Sequence, residues 1–92
     1  METISGNFFD ISESDIQSAI INIEVISPDG LSVTFKMQKS QQMKCLMSIY
    51  SKRQYVHPSN LIFVYRDQLI KQNDTPEILN MGNNNKIYAT LR

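Results

Sequence analysis

Between Ile20 and Arg92 the apolar residues follow two different spacings, and the changes of spacing mark the elements. From Ile20 to Ser27, Ile21, Ile23 and Val25 fall on one face and Asn22 and Glu24 on the other, the two-residue repeat of a half-buried strand. Ser27-Pro28-Asp29-Gly30 follows and suits a tight reversal. The alternation resumes with Leu31, Val33, Phe35 and Met37 inward against Ser32, Thr34, Lys36 and Gln38 outward, so the two strands form a hairpin. The repeat then lengthens to that of a helix. Over Ser40 to Gln54, Met43, Leu46, Met47 and Tyr50 gather on one side. Ser40 is placed to cap the first turn, and Lys52 and Arg53 complement the negative end of the helix dipole.

The remainder reads as further strands. Tyr55 to Asn60 is a loop broken by Pro58, and Leu61 to Tyr65 is apolar on both faces, as a strand inside a sheet would be, with Ile62 and Val64 forming a small patch away from the helix. Arg66-Asp67 turns the chain, Gln68 to Ile70 is a short strand, and Asn73 to Pro76 turns it again. Pro76 then opens a short helical turn through Ile78 and Leu79. After the neutral loop Gly82 to Asn85, the segment Lys86 to Arg92 closes as a last strand, with Ile87, Ala89 and Leu91 facing one way. Residues 1–19 lack a periodic apolar pattern and read as an acidic tail or linker, disordered or weakly ordered. Within it, Ser12-Glu13-Ser14-Asp15 fits a capping box, with a short helix through Ile16 and Ala19, and also an acidophilic kinase pattern. The folded domain is expected over residues 20–92, an α+β unit with one helix lying across a sheet.

Size limits what such a unit does. A 92-residue chain makes one small domain that buries about 60–65% of its unfolded surface, with little room for a deep catalytic cavity. Its single cysteine, Cys45, excludes an internal disulfide and fits a reducing compartment. No apolar run reaches membrane-span length and the amino end lacks the plan of a signal peptide, so no membrane partner is expected. Nine basic residues balance nine acidic ones, which argues against direct nucleic-acid binding. The charges are unevenly placed, however. Residues 1–19 hold four acids and no base, which leaves nine bases against five acids in the rest, and Lys36 to Arg53 carries five bases and no acid. The opposite charges give the tail a motive to fold back over the basic helix region.

Strand, strand, helix, strand, short strand, strand is the order of a β-grasp domain, and particular residues sharpen the likeness. Phe35-Lys36, the helix ending in Tyr50 and Arg53-Gln54, the strand Leu61 to Tyr65, Asn73-x-Thr75-Pro76 and Leu79-x-Met81 resemble SUMO, with matching spacing from Ile21 to Leu91. The resemblance implies a ubiquitin-like mixed sheet of four to five strands on one main helix, its first and last strands paired in parallel at the centre. SUMO ends in a diglycine that is joined to lysine, whereas this sequence stops at Leu91-Arg92 with no glycine after Gly82, so conjugation is not expected. It also has asparagines after Gly82 where SUMO has an acidic cluster. A SUMO-like body without diglycine resembles the carboxyl-terminal domains of RENi-family genome-stability proteins, which bind the SUMO-conjugating enzyme non-covalently. A SUMO truncated before its tail remains an alternative, as does another β-grasp interaction domain such as a Ras-association or PB1 module.

Catalysis is not expected: Cys45 and His57 do not form a known nucleophile–base spacing, and the sequence shows no metal cluster or phosphate-binding glycine loop, so no cofactor is implied. Two protein-binding surfaces follow from the resemblance. The conjugating-enzyme face comprises Glu24, Arg66, Asp67, Gln68, Asn83, Asn84 and Asn85. The second is the groove between the second strand and the helix, where SUMO accepts a strand from proteins with SUMO-interacting motifs. Its lining would be Val33, Phe35, Met37, Leu46 and Tyr50, with Lys36, Lys39 and Arg53 around the rim. Gln38 and Cys45 stand where SUMO carries lysines beside the docked strand, and Cys45 with Ile49 makes that flank of the helix more apolar. The enzyme face is therefore preferred to the groove. The expected setting is a nuclear adaptor of the SUMO pathway in genome stability and DNA repair.

Overall fold

The computed structural model describes residues 8–12, 19–82 and 85–92. Among them run β1 (Phe8–Asp10), β2 (Ile20–Ile26), β3 (Ser32–Gln38), α1 (Met43–Arg53), a single 3-10 turn at Pro58–Asn60, β4 (Leu61–Tyr65), β5 (Gln68–Leu69) and β6 (Asn85–Leu91). The strands form one mixed sheet in the order β1-β3-β2-β6-β4-β5.

The hairpin is in the register that alternation dictates. Ile21 lies opposite Met37, Ile23 opposite Phe35 and Val25 opposite Val33, and all six are buried against α1. Its turn is held by backbone bonds from Ser27 N–H to the Leu31 carbonyl and from Gly30 N–H to the Ser27 carbonyl, both 2.9 Å. Gly30, at φ 89°, takes the left-handed conformation that only glycine adopts without strain. Leu31, expected inward, belongs to this turn and is 70% exposed. Parallel pairing of β2 with β6 runs from Ile23 opposite Asn85 to Ile26 opposite Tyr88, so the first strand of the hairpin and the last strand of the chain lie side by side near the middle of the sheet. Ile87 and Ala89 face the core, but Leu91 passes its end and is 68% exposed. In β4, Leu61, Phe63 and Tyr65 are buried and Ile62 and Val64 are half-buried on the opposite face.

The helix is shorter than its sequence pattern, and the cause is visible at its first turn. A helix leaves its first N–H groups without partners. Here Met43 N–H donates to the Asp74 carbonyl (2.7 Å) and Lys44 N–H to the Gln72 carbonyl (3.1 Å). The loop before Thr75 thus caps the helix from across the fold, and the cap position falls at Gln42 rather than Ser40, with no side-chain capping bond. At the other end Tyr55 N–H reaches the Lys52 carbonyl and Val56 N–H the Ser51 carbonyl, the paired bonds of a Schellman termination with Tyr55 at φ 59° in the position glycine usually fills. Buried Ser51 donates to the Met47 carbonyl one turn earlier (2.7 Å), which satisfies its hydroxyl inside the core.

The helical turn expected after Pro76 is a single one, closed by Leu79 N–H on the Thr75 carbonyl (3.0 Å) within consecutive turns over residues 76–80. Two further expectations change. The short strand ends at Leu69, after which Ile70 is buried. The sheet has six strands because Phe8–Asp10, inside the acidic tail, pairs in parallel with Thr34–Lys36. The short helix expected through Ile16 lies outside the described residues.

Candidate functional site

The groove expected between β3 and α1 is present, and the chain's own β1 lies in it. Val33, Phe35 and Met37 point from β3 toward α1, where Leu46 and Tyr50 meet them; all five are buried. Phe8 pairs with Thr34, Phe9 with Phe35 and Asp10 with Lys36, and Ile11 N–H extends the ladder to the Lys36 carbonyl at 2.9 Å. Alternation along β1 sends Phe9 and Ile11 to the core, where both pack on the buried cluster, and turns Phe8 and Asp10 outward. Phe9 stacks on Phe35 with ring centroids 5.4 Å apart, and Phe35 in turn meets Tyr50 at 6.5 Å. The Arg53 guanidinium lies 5.8 Å from the Phe9 ring centroid, a cation–π distance. On the outer side Lys36 Nζ is 3.9 Å from the Asp10 carboxylate.

Where the strands part, a side chain joins them. Gln41 accepts from Gln38 N–H (3.0 Å) and donates to the Ile11 carbonyl (2.7 Å), so its amide spans the gap that a longer ladder would close directly. Asp10 accepts from the Ser12 hydroxyl (2.7 Å) and the Ser12 N–H (3.2 Å). The Ser12 hydroxyl is the main reason its carboxyl is held below the ordinary value, helped by the Ser12 N–H and the Lys36 charge against the opposing effect of burial. Lys39 is on the turn that leaves β3, and its carbonyl accepts from Glu77 N–H. Gln38, expected outward, is buried. Cys45 and Ile49 are half-buried on the flank of α1, with Ile49 packed on the core.

Toward the start of β3 the groove runs into a cleft of about 400 Å³ that shares Val33, Tyr50 and Arg53 with it and adds Leu31, Val56 and Leu61. Burial is the first cause, and the Asp29 carboxylate the second, of a Tyr50 hydroxyl pushed above its usual titration range. Asp29 itself is held low by hydrogen bonds from the Ser27 hydroxyl and the Leu31 N–H.

The second surface is one end of the sheet. Glu24 of β2 lies opposite Lys86 of β6, on the face away from α1. The Tyr65 hydroxyl donates to the Asn85 side chain at 2.9 Å, which ties the end of β4 to the start of β6, and the Asn85 amide donates in turn to the Gly82 carbonyl. Arg66 and Asp67, at φ 50° and 66°, make the two-residue left-handed turn of the β4–β5 hairpin. The Arg66 guanidinium lies 5.4 Å from the Tyr65 ring centroid. Arg66, Asp67 and Gln68 are exposed. Glu24, Arg66, Asp67, Gln68 and Asn85 thus lie at one end of the sheet, on β2, the β4–β5 hairpin and the start of β6, while Asn83 and Asn84 lie outside the described residues. Lys86 joins them through its register with Glu24, a pairing that strand spacing alone could not reveal.

His57 accepts from Ser59 N–H (3.2 Å) and contacts the Ser59 hydroxyl (2.8 Å), capping the 3-10 turn beyond the end of α1, whereas Cys45 is in the first turn of α1. From Cys45 to the last residue of α1 the helix axis runs about 12 Å. Among the described residues there is no group of three potential metal ligands, and no helix is long and apolar enough to cross a membrane.

The model of the ubiquitin family matches residues 21–92. Small ubiquitin-related modifier 2 of Arabidopsis thaliana is 35% identical over 75 residues, which cover 82% of this chain and 73% of that protein. Ubiquitin-like protein pmt3/smt3 of Schizosaccharomyces pombe is 32% identical over 84 residues, covering 89% and 72%. Among solved structures, a ubiquitin of Caldiarchaeum subterraneum superposes with a TM-score of 0.73 at 13% identity, over 80% of this chain and 95% of its own.

Proposed function

The chain belongs to the ubiquitin family, with a SUMO-like, β-grasp domain, and we propose that it is a non-catalytic interaction domain that docks on the SUMO-conjugating enzyme. The observation that supports this most is the sheet end at Tyr65, where Glu24, Lys86, Arg66, Asp67 and Asn85 lie on fixed backbone. Their charges are balanced, and they stand on elements that the core already holds rigid. A docking surface set in this way loses little side-chain or loop entropy on association. The groove is a separate surface, through which proteins with SUMO-interacting motifs would bind. The setting proposed is the one that the likeness to RENi-family domains implies, a nuclear adaptor of the SUMO pathway in genome stability.

Titration of the labelled protein with the conjugating enzyme should shift the amides of Asp67, Gln68 and Asn85. If those signals stay in place at saturating enzyme, the reading fails. The likeness to a small ubiquitin-related modifier favours a second reading, a covalent modifier whose diglycine follows Arg92 in the gene. Activation and transfer of the mature chain to lysine in a reconstituted conjugation reaction would select it.

A further inference from the structure

We infer that the outer edge of β3 is an exchangeable strand site: Phe8–Ile11 closes it in the free chain, and an extended peptide of another protein opens it, carrying apolar side chains at three alternate positions and an acid between the last two. The inference rests on the groove as a strand acceptor and is independent of the enzyme-docking face.

The bound segment displays the chemistry that the site accepts. A backbone ladder to an exposed edge supplies sequence-independent affinity, and pockets for alternate side chains supply selection. Both are seen here: the ladder from Phe8 to Ile11, a ring stacked on Phe35 within cation–π distance of the Arg53 guanidinium, an aliphatic side chain on the core at Ile11, and a carboxylate beside Lys36. The Gln41 amide reads backbone alone, since it binds the Ile11 carbonyl, and would serve any strand laid in this direction.

The same segment is built to leave. It spans three register pairs, among the described residues it pairs with β3 alone, and Phe8 is half exposed. Segments with few buried contacts open well below the free energy of global unfolding. Its advantage is its tether, which on a short connection gives an effective concentration in the millimolar range. An incoming strand has a compensating advantage. Continued past the register of Thr34, it would lay a third apolar side chain opposite Val33, at the mouth of the cleft lined by Leu31, Tyr50 and Val56. Among the described residues Phe9 and Ile11 fill two helix-side positions, and the partner would fill three.

The test uses the whole chain and a fluorescein-labelled peptide, Ile-Phe-Phe-Asp-Ile-Ser-Glu. Neighbouring strands lie about 4.8 Å apart, within disulfide reach, so Phe8→Cys with Thr34→Cys, in a Cys45→Ser background, locks the segment down when oxidised. The oxidised protein should bind the peptide at least about tenfold more weakly than after reduction. Phe9→Ala should bind it about tenfold more tightly than the native chain, the worth of a lost aromatic stack. Equal binding before and after reduction, or no gain in Phe9→Ala, overturns the inference. So does a native dimer in light scattering that Phe9→Ala dissolves, because the segment would then lie on a second copy. Enzyme titration of the locked protein reads the other surface: a shifted Asp67 amide together with an unresponsive groove would defeat this inference and leave the proposed function standing.

Discussion

The groove and the sheet end are both candidate binding surfaces, yet they are built on opposite principles. The groove's floor is the core itself: Val33, Phe35, Met37, Leu46 and Tyr50 are needed to hold β3 against α1 whether or not anything binds there. Only its lid, Phe8 to Ile11, stands outside the buried cluster, packed on it through Phe9 and Ile11. At the sheet end the reverse holds. Arg66, Asp67 and Gln68 are exposed on a tight turn and contribute little to packing, while the buried Tyr65 beneath them fixes their backbone. Function can therefore be removed from the sheet end without touching stability, but from the groove only through its lid.

Substitutions grade that contrast. Phe35→Ala should destabilise the protein by about 3–5 kcal/mol in denaturant unfolding, as for any fully buried aromatic; a loss under about 1 kcal/mol would mean that the groove floor is not core. Phe9→Ala should cost about 1 kcal/mol of strand docking. It would be read as faster exchange of the Ile11 amide, which is bonded to Lys36, with the denaturant midpoint of the body little changed. A midpoint that falls as far as in Phe35→Ala would erase the distinction between lid and floor. Asp67→Lys should leave stability within about 0.5 kcal/mol while weakening enzyme binding by about 0.2–1 kcal/mol.

The smallest effect is that of pH. The Asp10 carboxyl is held below its ordinary value first by the Ser12 hydroxyl, two residues away in its own segment, and least by Lys36 across the ladder; the share that Lys36 adds to docking is complete above the ordinary value, near pH 4, and is lost as pH falls through the lower docked value. Acidification below about pH 4 should shift the Ile11 resonances toward those of Phe9→Ala before the body unfolds. Asp10→Asn should flatten that response.

Periodicity was sufficient for the elements that bury a face. Ile21, Ile23 and Val25 against Val33, Phe35 and Met37 set the hairpin and its register, and Met43, Leu46, Met47 and Tyr50 set the helix. The central parallel pair came from family resemblance, because spacing within a strand carries no information about its neighbours. β1 was missed for a related reason: Phe9 and Ile11 give a single repeat of two, too short to register as a period amid acidic residues, although the charge contrast already pointed the tail toward the basic region. The start of α1 was misplaced because its cap is a pair of backbone carbonyls at Gln72 and Asp74, which no side-chain pattern announces. At the sheet end, Arg66, Asp67 and Gln68 were legible as a turn, but Lys86 enters only through the register of β2 with β6.

The parallel direction of β1 bears on how the molecule answers a mechanical load. Tension drawn through the amino end and through Leu91 pulls β2 and β6 past each other along their length, so that their backbone bonds share the load at once. The same tension first reaches β1, whose ladder to β3 is three pairs long and lies at the sheet's margin. Force passing through the chain would therefore draw the lid from the groove before the central pair yields, and a tethered molecule under strain would present an acceptor edge that the slack one conceals.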